Sequence, residues 1–160
     1  MARHQISIDE VRSRLSYDPL TGIFVWKDGR RIGKQAGYLH HSGYRVIRFG
    51  PSPYLAHRIA WVYMTGRWPR LSIDHIDMNK ANNAFRNLRE AAPWQNNANV
   101  GGRGALSKGV TLHRRSGKYQ AQIKLRGQSF YLGLFETEAQ ASAAYVGASK
   151  VLFGEFARAA

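Results

Sequence analysis

The chain contains no cysteine. Disulfide frameworks, thiolate zinc sites, iron–sulfur clusters and thiol nucleophiles are therefore excluded. Long apolar runs are missing too: nowhere do about 18 consecutive apolar residues occur, the length a membrane-spanning helix needs. The first residues, Met1-Ala2-Arg3-His4, lead into a charged stretch rather than the apolar core of a secretory signal. A soluble, intracellular and cytoplasmic protein without a membrane partner is expected. Acidic residues are scarce, 10 Asp and Glu against 24 Lys and Arg in 160 residues, for a formal charge of +14. Such a surface repels itself unless a polyanion neutralises it, which puts nucleic acid first among partners. What the chain does have is 44 % hydrophobic and 12 % aromatic residues, enough to bury a core and to disfavour a disordered basic tail. The charge is not confined to one tail: residues 1–100 carry 15 basic and 7 acidic side chains and residues 101–160 carry 9 and 3, so both parts can face one polyanion.

Local signals divide the chain. Ser7-Ile8-Asp9-Glu10 has the form of a capping box, and Ile8, Val11 and Leu15 follow at helical spacing. Asp18 to Gly22 is a turn cluster, Gly22 to Trp26 a strand, Gly29 to Gly37 a basic loop, and Gly37 to Phe49 a hairpin turning near Ser42-Gly43. Leu55 to Tyr63 is predicted as a helix ending before Gly66 and Pro69. Leu71 to Ile76 is predicted as a strand, Asp77 to Asn83 as a tight loop, Phe85 to Arg89 as the return strand, and Pro93 as the opening of a short helix through Asn99. Gly101 to Gly104 is the clearest linker, so the expected division is a domain over 1–100, a linker over 101–107 and a second domain over 108–160.

The chemically loaded segment runs from Asp74-His75 through Asn79, Asn82, Asn83 and Asn87 to Asn96. A strand bearing Asp-His, an Asn-rich loop, a second strand and a short helix make a ββα unit able to hold one divalent ion. With the upstream Gly43-Tyr44, His57-Arg58-Ile59-Ala60-Trp61, Gly66 and Pro69, it resembles the HNH homing endonucleases of phage and intron type over residues 17–99. The resemblance implies that His75 is the general base and Asp74 a metal ligand. It makes Asn96 the second ligand, and Asn87 the middle Asn of the family name, holding the loop and orienting the histidine. The chemistry suits these types. A neutral imidazole can take a proton from water, and oxygen donors suit one Mg²⁺, with Mn²⁺ or another divalent ion as the alternative. Asn82, Asn83, Asn97 and Asn99 read as turn or cap residues, with Asn99 the best substitute for Asn96. His57 reads equally as a phosphate contact beside Arg58 or as an interior residue, and His40 and His41 as solvated or backbone-facing.

In the C-terminal part, Tyr119, Ala121, Ile123 and Leu125 alternate with Lys118, Gln120, Gln122, Lys124 and Arg126, so one strand face is apolar and the other polar and basic. Three strands over 108–135 and a helix capped by Thr137 are expected, a three-stranded antiparallel sheet on one helix. Lys108-Gly109-Val110, Gly117-Lys118-Tyr119, Tyr131-Leu132-Gly133-Leu134-Phe135 and Phe153-Gly154-Glu155-Phe156 resemble the ethylene-response-factor (APETALA-type) DNA-binding domain. That resemblance implies that Arg114, Lys118, Gln122 and Lys124 face double-stranded DNA and that Arg115 and Arg126 touch phosphate. Arg58 is added as a phosphate contact of the first domain. Here Ser116 stands where that family has tryptophan, Gln122 replaces an acidic residue and one residue is inserted near Leu112, so the plant site preference does not transfer. The expected class is α+β, and the expected function a metal-dependent, site-directed DNA endonuclease acting as a monomer or weak dimer with no protein partner. The alternatives are a DNA-binding regulator retaining the same frame without activity, and an RNA-binding basic protein.

Overall fold

Ser7 opens the first helix, α1 (Ile8–Arg14), its hydroxyl accepting the Glu10 N–H at 3.1 Å. The computed structural model describes residues 6–100 and 105–157, so the glycine-rich segment 101–104 lies outside the described residues. The chain divides into two units, residues 1–91 and 92–160. This division falls before the expected linker, because the helix opened by Pro93 groups with the C-terminal sheet.

In the first unit, β1 (Leu15–Asp18) pairs antiparallel with β2 (Ile23–Trp26). The period-two alternation holds: Leu15, Tyr17, Phe24 and Trp26 are buried. Asp18 closes the turn by accepting the Leu20 N–H at 2.9 Å and the Thr21 hydroxyl at 2.7 Å. A central sheet follows, in the order β3 (Tyr38–Leu39), β4 (Arg45–Phe49), β5 (Ser52–Leu55). β5 was not expected. Pro53 hides it, and a proline is tolerated there because the strand is at the sheet edge. Leu55 ends that strand and precedes α2 (Ala56–Thr65), which stops at Gly66 in the left-handed region at φ 75°. Ile59, Ala60 and Ala56 of α2 join Leu15, Phe24, Ile47 and Val11 in one core.

Ser72–His75 forms β6 and pairs with β7 (Leu88–Ala91), placing His75 opposite Leu88 and Asp74 opposite Arg89. The return strand expected over Phe85–Arg89 is thus displaced: Phe85–Asn87 is a 3-10 turn and the strand starts at Leu88. The cause is Asn87, whose side chain turns into the loop rather than across the ladder. In the second unit, α3 (Pro93–Asn99) is followed by β8 (Val110–His113), β9 (Lys118–Leu125), β10 (Gln128–Phe135) and α4 (Glu138–Phe153). β9 is central and both pairings are antiparallel. Thr137 caps α4 in a capping box with Gln140. Ala141, Tyr145, Ser149 and Phe153 recur every fourth residue as its buried stripe. Tyr145 packs so close to Gly109 that a Cβ there would lie 2.1 Å from its ring. The mixed α and β content and the antiparallel three-stranded sheet on one helix match the α+β expectation.

Candidate functional site

β6 ends on Asp74 and His75, both about 95 % buried, and the chain then loops back to β7. Asn87 fastens that loop from the far side. Its side-chain amide donates to Asp77 Oδ1 and to the Asn82 carbonyl, both at 2.9 Å, while its Oδ1 accepts the Asp77 N–H at 3.0 Å. Its backbone carbonyl also accepts the Ile76 N–H at 3.0 Å. Asn82 donates to Asp77 Oδ2 at 2.6 Å. Burial alone would raise the Asp77 carboxyl; the Asn82 and Asn87 bonds and the Asn79 N–H outweigh it and hold it below the usual carboxylate range. The loop's asparagines are therefore turn residues in the main, as expected. Asn83 is the exception. It is 1 % exposed, and its Oδ1 lies 3.4 Å from His75 Nε2.

The N-terminal hairpin holds Asn83 in place. Tyr17 donates its phenol to the Asn83 carbonyl at 2.7 Å, and the Phe85 N–H donates to the Pro19 carbonyl at 2.9 Å. Gly22, at φ 75°, lies so near that a Cβ would be 2.2 Å from the Asn83 carbonyl carbon and the Ala84 nitrogen. Two rings also stand near that of His75, His57 of α2 at 5.0 Å and Tyr44 at 6.0 Å. His57 is therefore interior, not a phosphate contact. Burial first, then the neighbouring His75 and Arg58, push its pKa down to about 3, and its Nδ1 has no hydrogen-bond partner. Burial also lowers the His75 pKa, against the smaller opposing pull of Asn83, Asp77 and Asp74, so its imidazole is neutral at pH 7. Asp74 Oδ2 accepts from both Arg89 Nε at 3.0 Å and Arg89 Nη2 at 2.9 Å. Ion pair and imidazole thus sit on adjacent residues of one short strand.

The HNH endonuclease family pattern matches residues 54–98, from β5 through α3. An uncharacterised HNH endonuclease of Acanthamoeba polyphaga mimivirus is 35 % identical over 127 residues, 79 % of this chain and 67 % of its own. The chain belongs to the HNH endonuclease family. The HNH homing endonuclease I-HmuI, solved in a study of its DNA binding and cleavage, is a further relative at 25 % identity and a TM-score of 0.42. That match covers 54 % of this chain and about half, 51 %, of I-HmuI.

Of the residues this HNH protein was expected to use, β6 and the loop behind it bring together Asp74, His75 and Asn87. Asn96 is on α3, in the second unit, half-buried, with its N–H bonded to the Ala92 carbonyl at 2.9 Å. Among the described residues no three His, Cys, Asp or Glu side chains gather into a metal cluster. The donor types proposed, one carboxylate and one amide oxygen, are hard oxygen ligands of low total charge. They suit an ion that keeps waters and takes phosphate oxygens, as Mg²⁺ does. Arg58 is half-buried on α2, its guanidinium over the Trp68 ring at 5.7 Å.

In the second unit Lys118, Gln122 and Lys124 share one face of β9, while Arg114, Arg115 and Arg126 lie in the turns beside it. Cross-strand pairs place Gln122 beside Tyr131, Lys124 beside Ser129, and Lys118 beside His113. Gln122 and Lys124 are exposed, as are Arg114 and Arg115 in the turn between β8 and β9. Two assignments gain partners that were not expected. Lys118 Nζ pairs with Glu136 at 2.6 Å, an exposed bond worth less than about 1 kcal/mol. Arg126 stacks over the Trp94 ring of α3 at 5.2 Å, and with Gly127 it forms a turn with both central residues at positive φ, 49° and 91°. Tyr131, 62 % exposed on this face, was missed: a bulge between Tyr131 and Gly133 breaks the alternation that would have assigned its side. Pairing it against Gln122 would have revealed it.

Proposed function

We propose that this HNH protein is a metal-dependent, site-directed DNA endonuclease that cuts one strand at the end of β6. The observation that carries the reading is His75: a buried imidazole kept neutral at pH 7, beside a carboxylate, on a strand whose loop is fixed by Asn87. Asn83 donates its amide to the Ala81 carbonyl at 3.1 Å, so its Oδ1 faces His75 Nε2. An oxygen can only accept there, which supports the tautomer with the ring proton on Nε2 and the lone pair on Nδ1. His75 Nδ1 takes the proton of a water whose oxygen attacks phosphorus, and the 3′ oxygen departs. Asp74 and Asn96 would hold one divalent ion, Mg²⁺ first and Mn²⁺ second. When bound, it offsets charge on the phosphate and on the departing oxygen. Arg89, bonded to Asp74 Oδ2 through Nε and Nη2, fixes the rotamer of that carboxylate. Asn87 is a positioning residue, acting through the loop.

The sheet of β8, β9 and β10 supports double-stranded DNA as the partner. Lys118, Gln122 and Lys124 present donors on one face, with Arg114 in the turn beside it, where arginine can read guanine and glutamine adenine. Tyr131 adds an apolar ring among them, and Arg115 meets phosphate. Arg126 reaches phosphate by leaving Trp94. The resemblance of this module to the ethylene-response-factor domain supports the same reading. The test is supercoiled plasmid incubated with wild type and His75→Ala, each in Mg²⁺ and in EDTA. Nicking by wild type in Mg²⁺ alone is the expected result. Tight binding with no nicking by either protein would instead favour a regulator.

A further inference from the structure

The basic segment Gly29 to Gly37 has no place in the reading above. It borders a cleft of about 630 Å³ in the first unit, lined by Arg14, Trp26, Asp28, Arg30, Arg31 and Arg48. Arg14 lines the cleft and is held by several contacts. Its Nε donates to Asp28 Oδ2 at 3.1 Å, and its guanidinium lies 5.6 Å from the Trp26 ring and 5.5 Å from the Phe49 ring. Arg30 and Arg31 stand exposed on the 3-10 turn Gly29–Arg31. Arg48 is exposed on β4 with a long 3.4 Å bond to the Pro51 carbonyl. Four guanidinium groups thus face Asp28, with Glu10 3.8 Å from Arg14 Nη1 the second carboxylate of the group, and planar guanidinium forks match phosphate oxygens. Trp26 is 5 % exposed, so the cleft offers no face on which a base could stack. The cations come from separate elements, the 3-10 turn and β4 beside Arg14, which suits a chain of phosphates better than one small anion.

β4 gives the cleft its distance from the cutting site. The strand begins beside Tyr44, whose ring is 6.0 Å from that of His75, and ends at Phe49 and Gly50 on the cleft. Six residues of extended chain span ~20 Å. For a duplex running parallel to β4, with a rise of ~3.4 Å per nucleotide, the span corresponds to about six nucleotides.

We propose that this cleft grips the DNA backbone about six nucleotides from the bond cut at His75. The position rests on the hydrolytic reading; the contact itself does not. Full-length wild type, Arg30→Ala/Arg31→Ala, Arg48→Ala and, as a charge control, Lys150→Gln on the exposed side of α4 are compared, with thermal melts confirming that each is folded. Affinity for a duplex spanning the mapped cut is measured against salt, and phosphate ethylation interference is mapped on the same duplex. The log–log salt slope should fall by about 1.8 for the double variant and about 0.9 for Arg48→Ala, and should hold for Lys150→Gln. Interfering phosphates about six nucleotides from the cut should vanish in the double variant. An unchanged slope in both cleft variants, an equal fall in the control, or an unaltered ethylation map would overturn the proposal. Should His75→Ala still cut, the hydrolytic reading fails while the slope still reports on the cleft.

Discussion

At the scale of single residues, the candidate site holds two buried histidines that resist protonation. His75 titrates below the usual imidazole range, so the base form is complete at pH 7. Cleavage rate should rise with pH along an acid limb whose midpoint lies below about 6.5 and then level. A midpoint above 7 in a single-turnover pH profile would contradict the assignment. His57, held near 3, affects stability more than rate. Its folded pKa is depressed, so its contribution is fully present above the unfolded value of about 6.5 and is lost as pH falls toward the folded value. Within that window the unfolded chain binds more protons, and the free energy of unfolding should drop by up to about 1.4 kcal/mol per pH unit. His57→Phe should flatten this acid limb in urea melts taken between pH 4 and 6.5. An unchanged limb would place the titration elsewhere.

At the scale of elements, the N-terminal hairpin acts on the site without touching its chemistry. Gly22 is at a positive φ and has no room for a Cβ against Asn83 and Ala84. Gly22→Ala should destabilise the first unit by more than about 1 kcal/mol and slow cleavage further by releasing Asn83 from His75. Thermal melts and single-turnover rates check both. Elements with strong local chemistry were legible in the sequence. Ser7 and Thr137 announced α1 and α4 as caps, Pro93 opened α3, and the alternation of residues 118–125 gave β9 and its two faces. The missing parts are those fixed by contacts between segments far apart in the chain. β5 is a short edge strand masked by a proline. Leu88, not Phe85, opens β7, because Asn87 spends its side chain on Asp77. Asn83 reads locally as one more turn residue, and only the approach of Tyr17 and Gly22 makes it the partner of His75. Asp74, His75 and Asn87 were legible because their types and spacing are local to one hairpin. Arg89 is not legible locally, because its pairing with Asp74 follows from strand register.

At the scale of the whole molecule, a formal charge of +14 predicts that the proposed DNA binding is electrostatic, and the two kinds of contact on the second unit should separate. Arg115→Ala should weaken binding to all duplexes alike and lower the salt slope by about 0.9. Gln122→Ala should cost about 1–3 kcal/mol on the preferred target and leave the slope unchanged, because it removes no charge. Equal losses on target and random duplex for Gln122→Ala would deny it a part in reading bases. The most direct test of the account compares wild type and His75→Ala in one experiment, with single-turnover nicking in Mg²⁺ and duplex affinity measured on the same preparations. Loss of the base should slow nicking by about 10²- to 10⁴-fold while affinity stays within about twofold of wild type. Nicking at the wild-type rate by the alanine variant would contradict the account.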